Sequence, residues 1–296
     1  MKINKKYKGV IFILIAGMCF ALMAIFVRLA GDVPSVQKSF FRNSIALVCS
    51  LILIFKQKIG FKIQKGNLKF FILRASFGTA GLLLYFYSID HLVVADATML
   101  NKMSPFFAIV CSFIFLKEKL TPVQVISVIV AFVGSMFVVK PTFQNIDIIP
   151  AIAGLLGGLS AGVAYTCVRK LGQRGEKGPF IVFFFSAFST AVTLPYIIMN
   201  FSPMTMQQFI ILVFAGIFAS GGQFAITAAY CYAPAREISV FDYSQVVYTA
   251  ILGFFLFDQI PDVFSIIGYV LIIGTAVGMF IYNKKNAEGI DEAVDG

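Results

Sequence analysis

Long runs of uncharged residues recur along the whole chain, and they constrain its structure more than any other feature. The stretch from Gly9 to Val27 has no charged side chain, and the stretch from Gly178 to Ala235 has none over a length far beyond one span. A helix needs about 20 apolar residues to cross the hydrocarbon core of a bilayer. Because lipid offers the backbone no hydrogen-bond partners, such runs predict transmembrane helices.

Runs of this kind predict an all-α polytopic membrane protein with ten transmembrane helices. Asn200, Ser202 and Pro203 supply the turn that divides the long run after Gly178 into two spans. The spans are predicted at residues 8–30, 35–55, 69–89, 92–116, 121–140, 148–169, 178–199, 206–231, 235–257 and 262–282.

The composition excludes a water-soluble protein. Hydrophobic residues make up 59% of the chain and charged residues 13%, whereas soluble domains are about half apolar and about a quarter charged. The net charge of +10 does not indicate nucleic-acid binding, because the basic residues are scattered through short loops. The five cysteines lie within hydrophobic runs without metal-ligand spacing, so the sequence predicts no metal site and no cofactor.

The distribution of Lys and Arg predicts the orientation of the chain, since short positive loops are retained in the cytoplasm. We therefore expect a multi-pass protein of the cytoplasmic (plasma) membrane, the inner membrane of the cell, with both termini and the tail 285–296 in the cytoplasm. The side with 18 basic residues carries Lys2, Lys5, Lys6, Lys8, Lys56, Lys58, Lys62, Lys65, Lys69, Lys117, Lys119, Arg169, Lys170, Arg174, Lys177, Arg236, Lys284 and Lys285, and the opposite side carries Arg28, Lys38, Arg42 and Lys140.

The chain resembles itself at a shift of about 140 residues. Three pairs of segments match: 19–31 with 160–172, 77–81 with 218–222, and 115–120 with 255–260. Each copy holds five spans, so the second copy enters the membrane from the opposite side. Two inverted five-helix repeats are therefore predicted, at residues 1–141 and 148–284. Inverted repeats offer two nearly equivalent states that open to opposite sides, which favours a transporter.

These features together resemble the drug/metabolite transporter superfamily, specifically its EamA-type members with two five-helix repeats. The resemblance covers essentially the whole chain. It is carried by Phe115–Leu120 before Thr121-Pro122, by Gly134 in the fifth span, and by Ser39–Arg42 at the start of the second. It implies secondary export or uptake of metabolites through a central cavity lined by both halves, without an ATP-hydrolysing domain.

Charged residues within the spans are the first candidates for a functional site, because a charge in the bilayer usually faces a cavity or another charge. Lys102 is expected in the middle of the fourth helix and Asp242 within the ninth, at the same position of the two repeats. The other two candidates are Asp96, nearer the outer end of the fourth helix, and Arg74, nearer the cytoplasmic end of the third. Asp242 and Asp258 also depart from the EamA-type pattern, which usually has a small or apolar residue and a glutamate there.

Three interpretations of Lys102 and Asp242 stay open from the sequence. They form a fixed salt bridge between the fourth and ninth helices, they form a gate or substrate site, or they never meet. In the second interpretation Lys102 binds an anionic group of the substrate, while Asp242 binds a cationic group or exchanges a proton. Arg42 either snorkels to lipid headgroups or guards the outer mouth of the protein.

Polar side chains that cluster in the third, fourth, eighth and ninth spans predict a cavity that recognises an amphipathic metabolite. Any single one is also explained by a hydrogen bond between helices. The candidates beside Lys102, Asp242 and Arg42 are Asn101, Tyr85, Gln223, Tyr243, Gln245 and Tyr165.

Two further patterns concern the helices themselves. Pro105 either lets the fourth helix bend between states or gives it a static kink. Small residues at four-residue spacing predict close helix packing at Gly17/Ala21, Gly154/Gly158 and Gly274/Gly278.

The sequence therefore favours a secondary active transporter of small metabolites, with amino acids or related amphipathic compounds as candidates. A membrane-embedded enzyme is an alternative, but the single histidine, His91, lies in an outer loop and no catalytic motif is present. A channel is another, without a filter sequence. The expected partners are a small-molecule substrate and the lipid bilayer, with proton coupling as a hypothesis and no nucleic acid. Substrate, direction, coupling ion and oligomeric state stay open.

Thiol labelling should report this topology in a variant without the native cysteines. Single cysteines at Lys62 and Gln173 should react with a membrane-impermeant reagent only from the cytoplasm, and those at Asp90 and Ser202 only from outside. The measurement compares intact with permeabilised cells. Labelling of positions 62 and 202 from one face would contradict the inverted repeats, because these loops belong to opposite sides.

Overall fold

The computed structural model describes residues 5–91, 100–139, 148–257 and 262–295, and the regular structure in these ranges is helical. A short helical turn, Ala235–Ile238, and a 3-10 segment, Ser239–Tyr243, precede the ninth long helix. The long helices are α1 (Lys5–Leu29), α2 (Ser35–Lys56), α3 (Leu68–His91), α4 (Ser104–Leu116), α5 (Pro122–Val139), α6 (Ile148–Gln173), α7 (Gly178–Met199), α8 (Met206–Tyr232), α9 (Ser244–Phe257) and α10 (Val263–Asp295).

The helices confirm the predicted ten-helix, all-α fold. Eight helical segments of the described chain are long and apolar enough to cross a membrane, and α4 and α5 are shorter apolar helices. Helix ends follow local chemistry: Gly31 takes a positive φ after α1, and Thr205 caps the start of α8 together with Gln208. The outer part of the predicted span 92–116, including Asp96, lies outside the described residues, as does Asp258.

The fourth span is interrupted at Lys102. Residues 100–101 are helical, a turn follows at Lys102 and Met103, and α4 begins at Ser104. The expectation that Lys102 lies within a continuous helix is therefore wrong. Pro105 explains the position of the break, because proline fits the first turn of a helix, where its missing N–H group is not needed. Pro105 starts a helix here and does not kink one.

The ninth span is interrupted at the matching position of the second repeat. Asp242 lies in the 3-10 segment Ser239–Tyr243, between the turn Ala235–Ile238 and α9. The predicted ninth span is present as one apolar helical segment, Ala235–Leu256, but its regular α-helix gives way to 3-10 helix at Asp242. Backbone that departs from regular α-helix within a membrane is tolerated where it is buried in protein or lines a cavity. The two breaks thus point to a cavity at the centre of the molecule.

The two repeats interlock. With α1–α5 as the first repeat and α6–α10 as the second, α1 packs on α8, α3 on α6, α2 on α7, and α5 on α10. Exchanging the repeats converts the α1–α8 contact into the α6–α3 contact, and the α4–α6 contact into the α9–α1 contact. This is the packing expected from a pseudo-twofold axis between repeats. Helices α1, α2, α3 and α5 therefore have their main partners in the other repeat.

Small residues at four-residue spacing have two different environments. A Cβ added to Gly158 would lie 2.9 Å from the carbonyl oxygen of Leu100, and one added to Gly17 would lie 2.9 Å from a serine hydroxyl of α9. These positions permit close helix approach, as predicted. The prediction for Gly274 and Gly278 is wrong. Both are exposed, and within the described residues a Cβ there meets no atom within 4 Å.

Replacing Gly162 by alanine should destabilise the protein. A Cβ at Gly162 would lie 2.7 Å from the backbone nitrogen of Ala108 on α4, so α4 itself would have to move. We expect a loss of about 1–3 kcal/mol, as for other overpacked sites, measured by unfolding in detergent. Gly274→Ala is the matched control and should leave the stability unchanged or raise it by up to about 1 kcal/mol, because alanine favours the helix more than glycine does. Equal effects of the two variants would contradict the close packing of α4 on α6.

Candidate functional site

A cavity of about 210 Å³ lies between the two repeats at the helix breaks. Its wall is formed by α1, α2, α3, α6, α7 and α8, together with the two breaks and the first residues of α4 and α9. Eight of the nine predicted site residues line it: Lys102, Asp242, Asn101, Tyr85, Arg42, Gln223, Gln245 and Tyr165. The fold thus brings together polar side chains that are far apart in the sequence.

Lys102 and Asp242 meet at the wall of this cavity. Lys102 Nζ lies 3.4 Å from Asp242 Oδ2 and donates a hydrogen bond of 2.9 Å to Gln245 Oε1. The side chains of Lys102 and Asp242 are 11% and 8% exposed. The interpretation in which the two charges never meet is therefore excluded. A structural bridge and a functional pair both fit the geometry, because the pair joins two helices and also faces the cavity.

Tyr243 is the predicted site residue that does not line the cavity. It is fully buried, and its hydroxyl donates a hydrogen bond of 2.9 Å to the carbonyl oxygen of Lys102. A buried carbonyl needs such a partner where regular helix is interrupted. Tyr243 therefore stabilises the break that positions Lys102, and it links the two breaks to each other.

Two arginines also line the cavity. Arg42 reaches it from α2, which is not the arrangement of a side chain that snorkels to headgroups. Arg74 on α3 is 3% exposed, and its guanidinium carbon lies 4.1 Å from the centre of the Phe185 ring. The sequence marks Arg74 as a charge within a span, but nothing in the pattern indicates that Arg74 shares a cavity with Lys102.

Aromatic side chains form much of the remaining wall. Tyr165 stacks on Tyr230, with ring centroids 4.8 Å apart, and Phe20 and Phe86 add apolar surface. Gln223 faces the same space with a buried side-chain nitrogen that has no hydrogen-bond partner in the described chain. The phenylalanines of the wall are missed by sequence reasoning, because in a chain with 34 phenylalanines no pattern separates them from lipid-facing ones.

An aromatic layer lies next to the cavity wall at Arg74, toward the face with the lysine-rich loops, which we call the basic face. Phe71 lies one turn before Arg74 on α3 and is fully buried. Its ring centroid is 5.3 Å from that of Phe180 and 5.1 Å from that of Phe184. Phe71 thus lies along the chain between Asn67, in the loop before α3, and Arg74 of the cavity wall.

Polar contacts between loops tie the repeats together at the basic face. Asn67 Nδ2 donates a hydrogen bond of 2.6 Å to Glu176 Oε1, and Arg174 Nη1 donates one of 3.0 Å to Asn67 Oδ1. Arg169 Nε pairs with Glu118 Oε1 at 3.1 Å. Each contact joins the first repeat to the second. We call these five residues, Asn67, Glu118, Arg169, Arg174 and Glu176, the basic-face latch.

A model of the EamA-like transporter family matches the chain twice, over residues 7–140 and 148–281. The chain belongs to the EamA-like transporter family. The pseudopaline exporter CntI of Pseudomonas aeruginosa is 30% identical to this EamA-family chain over 273 residues, which cover 92% of the chain and 95% of the relative. A riboflavin transporter of Brucella anthropi is 26% identical over 251 residues, covering 83% of this chain and 87% of that one.

Human solute carrier family 35 member G1 is 25% identical over 287 residues, covering 92% of the EamA-family chain and 79% of the relative. One solved crystal structure matches with a TM-score of 0.83 over 93% of this chain and 98% of the other, at 15% identity, and this likeness shows the fold alone. The resemblance to EamA-type transporters is thus confirmed. The protein is a multi-pass membrane protein, and its family points away from an enzyme.

The pair of charges at the helix breaks should respond to substitution as a unit. Lys102→Met alone, or Asp242→Asn alone, should lower the free energy of unfolding by about 3–5 kcal/mol, because one buried charge loses its partner. The double variant should recover most of that loss. Unfolding in detergent measures all three. Single variants as stable as the wild type would show that the ion pair does not hold the two breaks together.

Proposed function

We propose that this EamA-family protein is a secondary active transporter that moves small metabolites across the cytoplasmic membrane by alternating access, with both termini in the cytoplasm. The observation that carries the proposal is the cavity, which both repeats enclose and which polar side chains line at two helix breaks. Broken helices at the interface of inverted repeats are a common way to build a substrate site in transporters.

The packing of the repeats supports two alternative states. The α1–α8 contact and the α3–α6 contact are equivalent under exchange of the repeats, so a rocking motion that loosens one can tighten the other. Opening at the basic face requires the latch to separate. On the opposite face, Gln37 and the backbone of Ser202 exchange two hydrogen bonds of 2.9 Å, and this contact joins the repeats as well. Both faces thus have polar contacts that a rocking motion must break in turn.

Asp242 is the candidate group for proton coupling. Asp242 supplies the carboxylate among the described residues of the cavity wall. This carboxylate is the counter-charge of Lys102. Protonation of Asp242 would weaken its contact with Lys102, whereas an ionised Asp242 holds Lys102 in place. A driving proton gradient would act through this exchange.

The names of relatives support a small organic molecule as the cargo. One relative is named for the export of pseudopaline and another for the transport of riboflavin. We propose amino acids or related amphipathic compounds for this chain, because the wall combines charged groups with tyrosine and phenylalanine rings. The cavity has a volume of about 210 Å³. Sites for drug-sized ligands have volumes of roughly 300–1,000 Å³, so the smaller cavity favours a small metabolite.

A crosslink across the basic-face latch should stop transport. Asn67 Nδ2 and Glu176 Oε1 are 2.6 Å apart, and both residues are replaced by cysteines in a chain without native cysteines. A short bifunctional thiol reagent that forms reducible disulfides then joins the two cysteines. The measurement is uptake into proteoliposomes of a metabolite identified by screening. We expect saturable uptake that is stimulated by a gradient. Uptake should fall to background on crosslinking, because the cavity can no longer open at this face, and it should recover with reductant.

Proton coupling through Asp242 has its own test in the same proteoliposomes. A pH gradient should stimulate uptake by the wild type and should not change uptake by Asp242→Asn.

The matched control joins two positions of one repeat on the same face. Phe55 and Phe61 have ring centroids 5.9 Å apart, and cysteines there, joined by the same reagent, should leave uptake intact. Uptake that survives the crosslink between positions 67 and 176 would contradict alternating access through the basic face. Turnover of a metabolite without its movement would favour an enzyme, and flux that does not saturate would favour a channel.

A further inference from the structure

The charges on the cavity wall do not balance. The described residues of the wall include three cationic side chains, Arg42, Arg74 and Lys102, and one carboxylate, Asp242, which leaves a surplus of two positive charges. Lys102 is already engaged by Asp242 at 3.4 Å and by Gln245 at 2.9 Å. The surplus therefore belongs to the two arginines.

Arg74 carries a buried charge for which the described residues supply no counter-charge. It is 3% exposed, no carboxylate of the described chain pairs with it, and its Nε has no hydrogen-bond partner there. The Phe185 ring, 4.1 Å from the guanidinium carbon, orients the guanidinium plane but supplies no negative charge. Because an isolated charge within a membrane is costly, an arginine in this position indicates a ligand that neutralises it.

Arg42 keeps donors for a ligand in the same way. Its Nε is buried without a hydrogen-bond partner in the described chain. Its Nη1 reaches Asn43 Oδ1 only at 3.5 Å, which is long for a hydrogen bond. The amide nitrogen of Asn43 is directed instead to Ser189 Oγ, at 2.9 Å. No carboxylate among the described residues pairs with Arg42.

We infer that the cavity binds a small oxyanionic metabolite of net negative charge, held by Arg74 and Arg42, while Lys102 stays engaged with Asp242 and Gln245. Carboxylate and phosphate groups share the oxygen geometry that the forked guanidinium binds through two parallel hydrogen bonds. The inference rests on the proposed function in taking this ligand to be the transported substrate. It assigns anion binding to the two arginines and not to Lys102.

Gly78 gives the guanidinium of Arg74 its room. It follows Arg74 by about one helical turn, and a Cβ built at Gly78 would collide with that guanidinium and lie 2.9 Å from the Phe185 ring. Alanine at this position would displace the guanidinium without removing its charge. Gly78 is therefore a positioning residue for the anion site.

A matched series of four-carbon compounds separates the classes of ligand. Succinate carries two carboxylates, 4-aminobutanoate is zwitterionic, succinamide is uncharged, and 1,4-diaminobutane is cationic. Glycerol 3-phosphate supplies the phosphate arm. Binding to the full-length protein in detergent is measured by calorimetry, and movement is measured in proteoliposomes. We expect at least one of the two oxyanions, succinate or glycerol 3-phosphate, to bind more tightly than 4-aminobutanoate, and succinamide and 1,4-diaminobutane not to bind.

Variants test the assignment to the arginines. Arg74→Gln should weaken binding of the oxyanion roughly ten- to hundredfold, and Arg74→Lys, which keeps the charge but loses the fork, should fall between. Because Arg74→Gln removes an uncompensated buried charge, the empty variant should unfold at no lower temperature than the wild type. Gly78→Ala should also weaken binding. The controls Gly274→Ala and Arg28→Gln, both at exposed positions, should bind as the wild type does.

The outcomes separate this inference from the proposed function. Tighter binding of 4-aminobutanoate or 1,4-diaminobutane than of either oxyanion would overturn the inference, as would folded Arg74→Gln and Arg42→Gln variants with wild-type affinity for the oxyanion. Saturable transport of neutral or cationic compounds without oxyanion binding would keep the proposed function and overturn the inference. Arg74-dependent binding of an oxyanion that is never moved would support the inference and overturn the proposed function.

Discussion

The absence of hydrogen-bond partners and counter-charges in lipid is the constraint on which the structure depends. Two helices are interrupted within the membrane, and each break places a charge in the interior. The polar groups at one break find their partners at the other. The Lys102 ammonium contacts Asp242 and Gln245, and the Tyr243 hydroxyl donates a hydrogen bond to the Lys102 carbonyl oxygen. The backbone and charge of one break are thus balanced by side chains of the other, so the two breaks stabilise each other.

The same constraint explains why the repeats interlock. A helix that packed only within its own repeat could leave the other repeat free to move away, and the breaks would then face lipid. Here α1 packs on α8 and α3 on α6, so the partners of each break are held by contacts between repeats. The basic-face latch adds polar contacts at one end, between Asn67 and Glu176 and between Glu118 and Arg169. The cavity therefore lies among contacts between the repeats, and these polar contacts can separate without unfolding either repeat.

Hydrophobic run length and charge asymmetry predict the fold from sequence, because both follow directly from the bilayer. The repeat predicts that Lys102 and Asp242 hold equivalent positions, and eight of nine predicted site residues line one cavity. The helix breaks are not predictable in the same way, because turns buried at the centre of a protein leave the apolar run intact. The phenylalanines of the wall are missed, and Arg74 is a candidate that the sequence does not assign to the cavity, because composition does not tell which face of a span meets the cavity. Gly274 shows the same limit, since small residues on lipid-facing helices resemble those at helix contacts.

The scaffold is nearly symmetric, but its charges are not. The shift that aligns residues 77–81 with 218–222 places Arg74 opposite Ala215, an uncharged residue. The shift that aligns residues 115–120 with 255–260 places Lys102 opposite Asp242. The ion pair lies where the two repeats meet, while Arg74 lies beside the aromatic layer of one face alone, close to Phe71. An anion held by Arg74 is therefore bound nearer the basic face, and it must leave that arginine before it moves to the opposite face. Under alternating access, the states that open to the two faces then differ in energy when the anion is bound, although their helix packing is nearly equivalent. The placement of charge, more than the fold, therefore sets the difference in affinity for the anion between the two faces.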